Sequence, residues 1–298
     1  MDIIYEGKEP ELNMPYFGKQ ARYFEFFRDC ITPFLPPNGV YAETNSGSIS
    51  NAFEFAKLGY RVIVNDISEY SDAIANAVFN NARMIVGNTV CKYKWLEEYS
   101  SNYLDRASIF AGNISINGYN APIPTVSNRM LLERAKAYKE QLSIIRAKGI
   151  KAYMIFNEEL FDYMQLLINI GQVVDVLFMD FAWPWRNGSE TDEYNTTANI
   201  LSGVFNGKNV NIRMWSKRDV IGNVIRAVKM AQKIAKYIFL SDQSSNYPTP
   251  ELLEVSLLSH GIYYEARHTM LTKATIEDNL LTSSFFREYL YVIKGRCS

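Results

Sequence analysis

Histidine is almost missing: His260 and His268 are the only two in 298 residues. That excludes, as first readings, a zinc site built on imidazoles and a hydrolase run by a Ser/His pair. Cysteine is scarce too. Cys30, Cys91 and Cys297 are scattered, odd in number and without metal spacing. No disulfide framework and no metal centre is expected, and the expected setting is a reducing cytoplasm. No apolar run reaches the ~18 residues of a membrane span, and no signal peptide is read at the start, so no membrane partner is expected. Lysine and arginine total 31 against 32 acidic residues, for a net charge of −1. No basic excess announces a polyanion, although a local basic patch is compatible with a neutral sum.

What is abundant is aromatic and apolar. Twenty tyrosines and 17 phenylalanines sit in a chain that is 48% hydrophobic, long enough to bury a substantial core. The most organised stretch is the run from Val173 to Met179, closed by Asp180 and followed by Phe181, Ala182, Trp183, Pro184 and Trp185. A continuous apolar run suits a strand buried on both faces. An acid at its carboxyl end lies where open α/β sheets hold ligands. The tryptophans beyond it read either as lid packing or as a seat for a flat ring such as a nucleobase.

Upstream the pattern alternates. An apolar helical face at Phe24, Phe27, Ile31 and Phe34 ends at Pro36-Pro37-Asn38-Gly39, and Gly39–Thr44 reads as a short strand. Asn45-Ser46-Gly47-Ser48 turns into a helix closed by Gly59. Arg61–Asn65 is a second buried strand ending on Asp66, and Ser68 caps a helix to about Asn81. This strand–turn–helix–strand–acid unit suits a ligand at a helix N-terminus, with the acid on a ribose diol. Only Gly47 remains of the usual glycines, and Asn45 stands at a glycine position, where its tolerance of positive φ helps. Asp66 as a plain surface acid is the alternative.

Residues 84–127 show no clean periodicity and read as an inserted subdomain. A long amphipathic helix covers Ser127–Lys148. Ile150–Phe156 is a third strand, with Asn157 and Glu158 at its end. A helix through Phe161, Met164, Leu167 and Ile168 leads to the strand already described. The loop beyond, Arg186–Asn195, carries Tyr194. Ser216–Asp219 looks like a capping box opening a helix to about Lys236. Tyr237–Leu240 is a fifth strand, Thr249 or Pro250 starts a helix, and Ile262–Glu265 and Glu288–Ile293 finish as an antiparallel pair.

This order is similar to the sheet of class I S-adenosylmethionine-dependent methyltransferases. More closely, it resembles the Dam-type DNA adenine methylases. The family's N-terminal Tyr-Ile-Gly-Ser-Lys segment falls on Tyr16-Phe17-Gly18-Lys19-Gln20. Its Phe-x-Gly-x-Gly turn falls on Glu43-Thr44-Asn45-Ser46-Gly47, its acid on Asp66 within Asn65-Asp66-Ile67, and its Asp-Pro-Pro-Tyr motif on Asp180-Phe181-Ala182-Trp183. Ile238–Ser241 and Glu288–Gly295 also look like the family. Both motif prolines are lost, and a second register over Ala182-Trp183-Pro184-Trp185 would leave no acid.

The resemblance implies an α/β, Rossmann-like class I methyltransferase sheet, mostly parallel with an antiparallel pair at its C-terminal end. It divides the chain into 1–83 with the cofactor turn, 84–148 as an inserted, target-recognition subdomain, and 149–298 with the catalytic motif. It implies S-adenosyl-L-methionine as cofactor, held by Tyr16, Gly18, Lys19, Asn45, Ser46, Gly47, Asp66, Ile67, Asn157 and Glu158. It implies Asp180, Phe181 (through its carbonyl) and Trp183 as catalytic, and Trp185 and Tyr194 as substrate contacts. The expected activity is methylation of the adenine amine in DNA, with DNA as partner and no metal. Two alternatives stay open. One is a degenerate methylase-like subunit that binds DNA or supports an active or restriction partner. The other is a methyltransferase with a different acceptor.

Overall fold

A computed structural model describes residues 12, 14–15, 23–79, 96, 99, 102–118, 128–184, 215–274 and 284–296. Its frame is a seven-stranded sheet in the order β3-β2-β1-β4-β5-β7-β6. The strands are β1 (Val40–Glu43), β2 (Arg61–Asn65), β3 (Met154–Phe156), β4 (Val174–Asp180), β5 (Ala235–Gln243), β6 (Tyr264–Ala274) and β7 (Ser284–Lys294). The first five pair in parallel, while β7 runs antiparallel to both β5 and β6. This is the mostly parallel, Rossmann-like sheet expected from the sequence, with the antiparallel pair at its C-terminal end. The chain reverses its winding at β1 and β4, and at such a switch point the carboxyl ends of the strands open a crevice.

The apolar patterning explains the layers. β1, β2 and β4 are buried almost from end to end, as expected of strands covered on both faces. On one face Tyr41, Val62, Val64, Val176, Phe178 and Phe239 meet helices α1 (Phe24–Ile31), α2 (Ser50–Lys57) and α3 (Glu69–Val78). Helices α4 (Tyr103–Asn117) and α5 (Asn128–Ala147) join that same cluster through Phe110, Ile114, Leu131 and Leu142. On the other face Ile63, Leu177, Met179, Ile238 and Leu240 meet α6 (Leu160–Asn169), α7 (Val220–Ala231) and α8 (Pro250–Ser259).

Three differences from the sequence reading have physical causes. The helix α4 has no amphipathic period because Asp105 to Ala111 are buried all round, so no apolar stripe marks it. The α7 helix stops at Ala231 rather than near Lys236, because β5 already begins at Ala235 and pairs with Val174. Ser216 and Asp219 do not form a reciprocal capping box. The Ser216 hydroxyl donates to the Asp219 carboxylate at 2.8 Å, and no side chain caps the helix. Other caps match expectation: Ser68 Oγ accepts the Tyr70 N–H, and Thr249 Oγ1 accepts the Leu252 N–H. Among the described residues no helix is long and apolar enough to cross a membrane.

Candidate functional site at the carboxyl edge of the sheet

The chain leaves β1 at Glu43 and is at once tied to its neighbours. The Thr44 N–H donates to the Phe178 carbonyl of β4 at 3.1 Å. The Ser46 N–H donates to the Asn65 carbonyl at 2.8 Å, and the Asn65 N–H donates back to Ser46 Oγ at 3.1 Å. The turn then needs two left-handed residues. Gly47 has φ 52°, and Ile49 has φ 55°. Glycine adopts that region freely, whereas a β-branched residue there is strained and persists only where surroundings fix it. Ile49 is fully buried, and its N–H donates to the Ser46 carbonyl at 2.7 Å. Asn45, the residue at the glycine position, does not adopt positive φ.

A second layer of polar groups holds this turn against β2 and β3. Asp66 accepts the Gly47 N–H at 2.8 Å through one oxygen and the Ser68 N–H at 2.8 Å through the other. Asn65 is the hub. Its amide nitrogen donates to the carbonyls of Thr44 and Glu158, and its oxygen accepts the Glu158 N–H at 3.0 Å. Asn157 donates to the Asp66 carbonyl at 2.7 Å. One amide side chain thus joins the exits of β1, β2 and β3. Ile67 is half-buried beside Asp66.

The electrostatics of the edge are unusual. Glu43 is 2% exposed and accepts the Tyr41 hydroxyl at 2.8 Å. Burial pushes its pKa up to about 7, and the nearby Asp66 charge adds to the rise, against hydrogen bonds from Tyr41, Ser46 and the Ala52 backbone. Burial likewise raises Asp66 to about 6, against its hydrogen bonds to Ser68, Gly47 and Ser71. Among the described residues, several buried polar atoms around these acids have no hydrogen-bond partner: Thr44 Oγ1, Asn45 Oδ1, Asn51 Oδ1 and the Tyr163 hydroxyl. Buried polar atoms are normally satisfied, so several orphans at one turn call for a ligand that answers them.

Asp180 closes β4 at the same edge. Its strand pairs with β1 through Glu43 opposite Phe178, and Asp180 itself lies opposite Ser241 of β5. It is half-buried, and its charge reaches the Tyr41 hydroxyl. The residues after it turn inward. The Phe181 carbonyl accepts the Trp183 N–H at 2.9 Å in a tight turn. Phe181 and Trp183 are each 6% exposed and pack edge to face, with centroids 5.4 Å apart. The Trp183 indole donates to the Ser241 carbonyl at 3.1 Å. In this structure Trp183 therefore packs the core beneath the edge and offers no open ring face. The Phe181 carbonyl keeps one lone pair beyond its turn bond.

Tyr16, Gly18, Lys19, Trp185 and Tyr194 lie outside the described residues. Nearby, Met14 is fully buried in the core and the Pro15 carbonyl accepts the Tyr70 hydroxyl at 2.9 Å. Two residues that organise the site were not singled out from sequence, Glu43 and Asn65. The signal was present, since each is the polar terminus of a buried apolar strand. Among the described residues, no group of three or more His, Cys, Asp or Glu could hold a metal.

No family model matches the chain. No curated protein matches it either. Among solved structures it is similar to a human methyltransferase 10 domain containing protein, at 9% identity and TM-score 0.42, covering 96% of this chain and 88% of that one. It is also similar to magnesium protoporphyrin IX methyltransferase from Synechocystis PCC 6803 with bound S-adenosylmethionine, at 10% identity and TM-score 0.41, covering 92% and 79%. Precorrin 8w decarboxylase from Methanobacterium thermoautotrophicum matches at 10% identity and TM-score 0.41, covering 93% and 92%. The fold assignment stands on strand order and register, and a fold hosts many chemistries.

Proposed function

We propose that this chain is an S-adenosylmethionine-dependent methyltransferase that methylates the exocyclic amine of adenine in DNA. The observation that carries the reading is the acceptor-rich cradle after β1. Glu43 and the unanswered oxygens of Thr44, Asn45 and Asn51 gather beside a left-handed turn at the sheet's switch point. A ligand bringing an ammonium and ribose hydroxyls supplies the donors that this set lacks. S-adenosylmethionine has both, and when bound it supplies an electrophilic methyl group.

The chain's own residues divide the work. Asn45, Ser46 and Gly47 form the cradle, and the family resemblance assigns Tyr16, Gly18 and Lys19 to the cofactor as well. Asp66 fixes Gly47 and, with Ile67, Asn157 and Glu158, faces the adenosine half. Asp180 and the free lone pair of the Phe181 carbonyl accept the two hydrogens of the acceptor amine. That concentrates electron density on nitrogen, and Asp180 takes the proton released when nitrogen is alkylated. Alignment of amine and methyl contributes about 7–11 kcal/mol to lowering the barrier. A duplex target must present its base unstacked. The same resemblance assigns Trp185 and Tyr194 to that base, and Trp183 supports the motif from below.

The test joins two measurements. Calorimetry with S-adenosylmethionine should show stoichiometric uptake. Nucleoside mass spectrometry of DNA exposed to protein and cofactor should show N6-methyladenine, lost in Asp180→Ala. Another methylated nucleoside would keep the enzyme and change the acceptor. No uptake at millimolar cofactor would reject catalysis by this chain alone. One observation favours a second reading, a non-catalytic DNA-binding subunit: the Trp183 ring is packed inward with its indole N–H committed.

A further inference from the structure

On the flank of the sheet between α6 and α7 lies a cavity of about 620 Å³. That falls within the ~300–1,000 Å³ range of small-molecule sites. Its walls include Phe161, Trp215, Arg218, Gly222 and Arg226. The Phe161 and Trp215 rings are near parallel, with an interplanar angle of 23° and centroids 6.2 Å apart. Trp215 also packs on Phe181, centroids 4.7 Å apart, so a single ring separates this cavity from the residue after Asp180. The Arg226 guanidinium lies 3.9 Å over the Phe161 ring.

Charges of both signs line the cavity. Two acids share the wall, Glu159 and Asp219. Both have local partners: Glu159 accepts the Phe161 N–H at 2.8 Å, and Asp219 accepts the Ser216 hydroxyl at 2.8 Å. Among the described residues, neither Arg218 nor Arg226 makes an ion pair. Both arginines are exposed. The wall thus holds two guanidinium groups and two carboxylates, and among the described residues the arginines are tied to neither acid, so their donors are open to a ligand.

Gly222 adds an independent observation. It stands in the first turn of α7, and a Cβ built there would meet nothing within 4 Å. Packing does not demand a glycine, and glycine is a poor helix former. Its effect is to keep the cavity wall bare where any other residue would project a side chain.

We propose that this cavity is a nucleotide subsite for the acceptor strand, stacking one base on the Trp215–Phe161 pair and holding the adjoining phosphate with Arg218 and Arg226. Stacking on aromatic rings accepts any base, and the guanidinium fork matches phosphate oxygens. The proposal rests on the methyltransferase reading only in naming the strand as the acceptor. Its chemistry is shared by DNA and RNA.

The test is fluorescence anisotropy with a labelled single-stranded 12-nucleotide DNA and an RNA of the same sequence. The full chain is compared with the double variant Arg218→Gln/Arg226→Gln and with Gly222→Glu. The double variant should bind about 10-fold more weakly, and its salt slope should fall by about 0.7, the value for one phosphate contact on a single strand. Gly222→Glu should weaken binding at least as much, by filling the cavity with the wrong charge. The strand bound more tightly by the parent chain identifies the acceptor's backbone. Unchanged affinity and slope in both variants overturns the subsite, and so does a parent chain that binds neither strand. Calorimetric uptake of S-adenosylmethionine by the same proteins separates the two readings. Uptake with arginine-independent strand binding rejects the subsite alone. Arginine-dependent strand binding without uptake supports the subsite and rejects the enzyme.

Discussion

Asp175 and Asp180 belong to the same strand, β4, yet the two ends of that strand are built to opposite rules. At the amino end, Asp175 is 8% exposed and both oxygens are answered. One accepts the Val40 N–H at 2.8 Å, and the other accepts the Lys236 ammonium at 2.7 Å. Gly39 is pressed so close that a Cβ there would lie 3.1 Å from Asp175 Oδ2 and 2.8 Å from the Pro36 carbonyl. At the carboxyl end, Glu43 and Asp66 are buried with raised pKa values, buried oxygens of Thr44, Asn45 and Asn51 have no partner among the described residues, and Ile49 is held left-handed. An interior with every polar group answered is a structural solution. On the proposed reading, shifted acids, orphans and backbone strain gathered in one crevice are what the fold gives up in stability for a ligand.

That contrast can be broken most decisively at its two acids. Asp180→Ala should reduce methyl transfer by at least about 100-fold, the usual scale for a group that handles a proton in the transition state. Its cofactor uptake should be unchanged. Asp175→Ala should leave transfer per folded molecule within about twofold of the parent, since it removes no acceptor at the crevice. A folded Asp175→Ala protein without activity would erase the distinction between the two ends.

Trp183 asks which end's rules govern the residues after Asp180. As a packed core ring it should cost about 3–5 kcal/mol of stability when cut to alanine. Denaturant unfolding measures this directly. A variant as stable as the parent, with only strand binding impaired, would return the ring to the stacking role inferred from sequence. For Asp175→Ala the expected loss is about 1–3 kcal/mol, because the Val40 N–H is left buried without its acceptor. The Lys236 side chain is 51% exposed, and its ion pair adds little to that figure.

The smallest effect is a slope. Glu43 and Asp66 have folded pKa values of about 7 and about 6, above their ordinary values of 4.5 and 3.8, in both cases chiefly through burial. The folded chain therefore binds more protons than the unfolded chain across that window. Their contribution is complete below the unfolded values and is lost as pH rises toward the folded ones. Ligand-free protein should thus be less stable at pH 8 than at pH 5, and Glu43→Gln should flatten the difference. Equal urea midpoints for parent and variant at both pH values would show that Glu43 titrates without strain.

Much of the frame was readable because apolar runs and punctuation agree. β2 falls on Arg61–Asn65, β4 ends on Asp180, and Gly59, Ser68 and Thr249 mark helix ends as their chemistry requires. The helix α4 was not readable, since a helix surrounded by protein carries no stripe. The aromatic residues after Asp180 were ambiguous for a related reason. A ring beside a strand end reads the same whether it faces a ligand or the core. Only the Ser241 carbonyl, 58 positions away, decides that the Trp183 indole turns inward.

The amino-acid order alone thus determined the alternation of strands and helices, the turn at Gly47 and the acids Asp66 and Asp180 at the ends of β2 and β4. Local propensity and burial period act over a few residues, so they are written in the chain itself. Tertiary structure alone decided that Asn65 joins three strand exits, that Ile49 bends left-handed, and that Arg218 and Arg226 share a hollow with Phe161. Those outcomes depend on which segments meet across the sheet, and hydrogen bonds and desolvation act only between groups that folding has brought within reach.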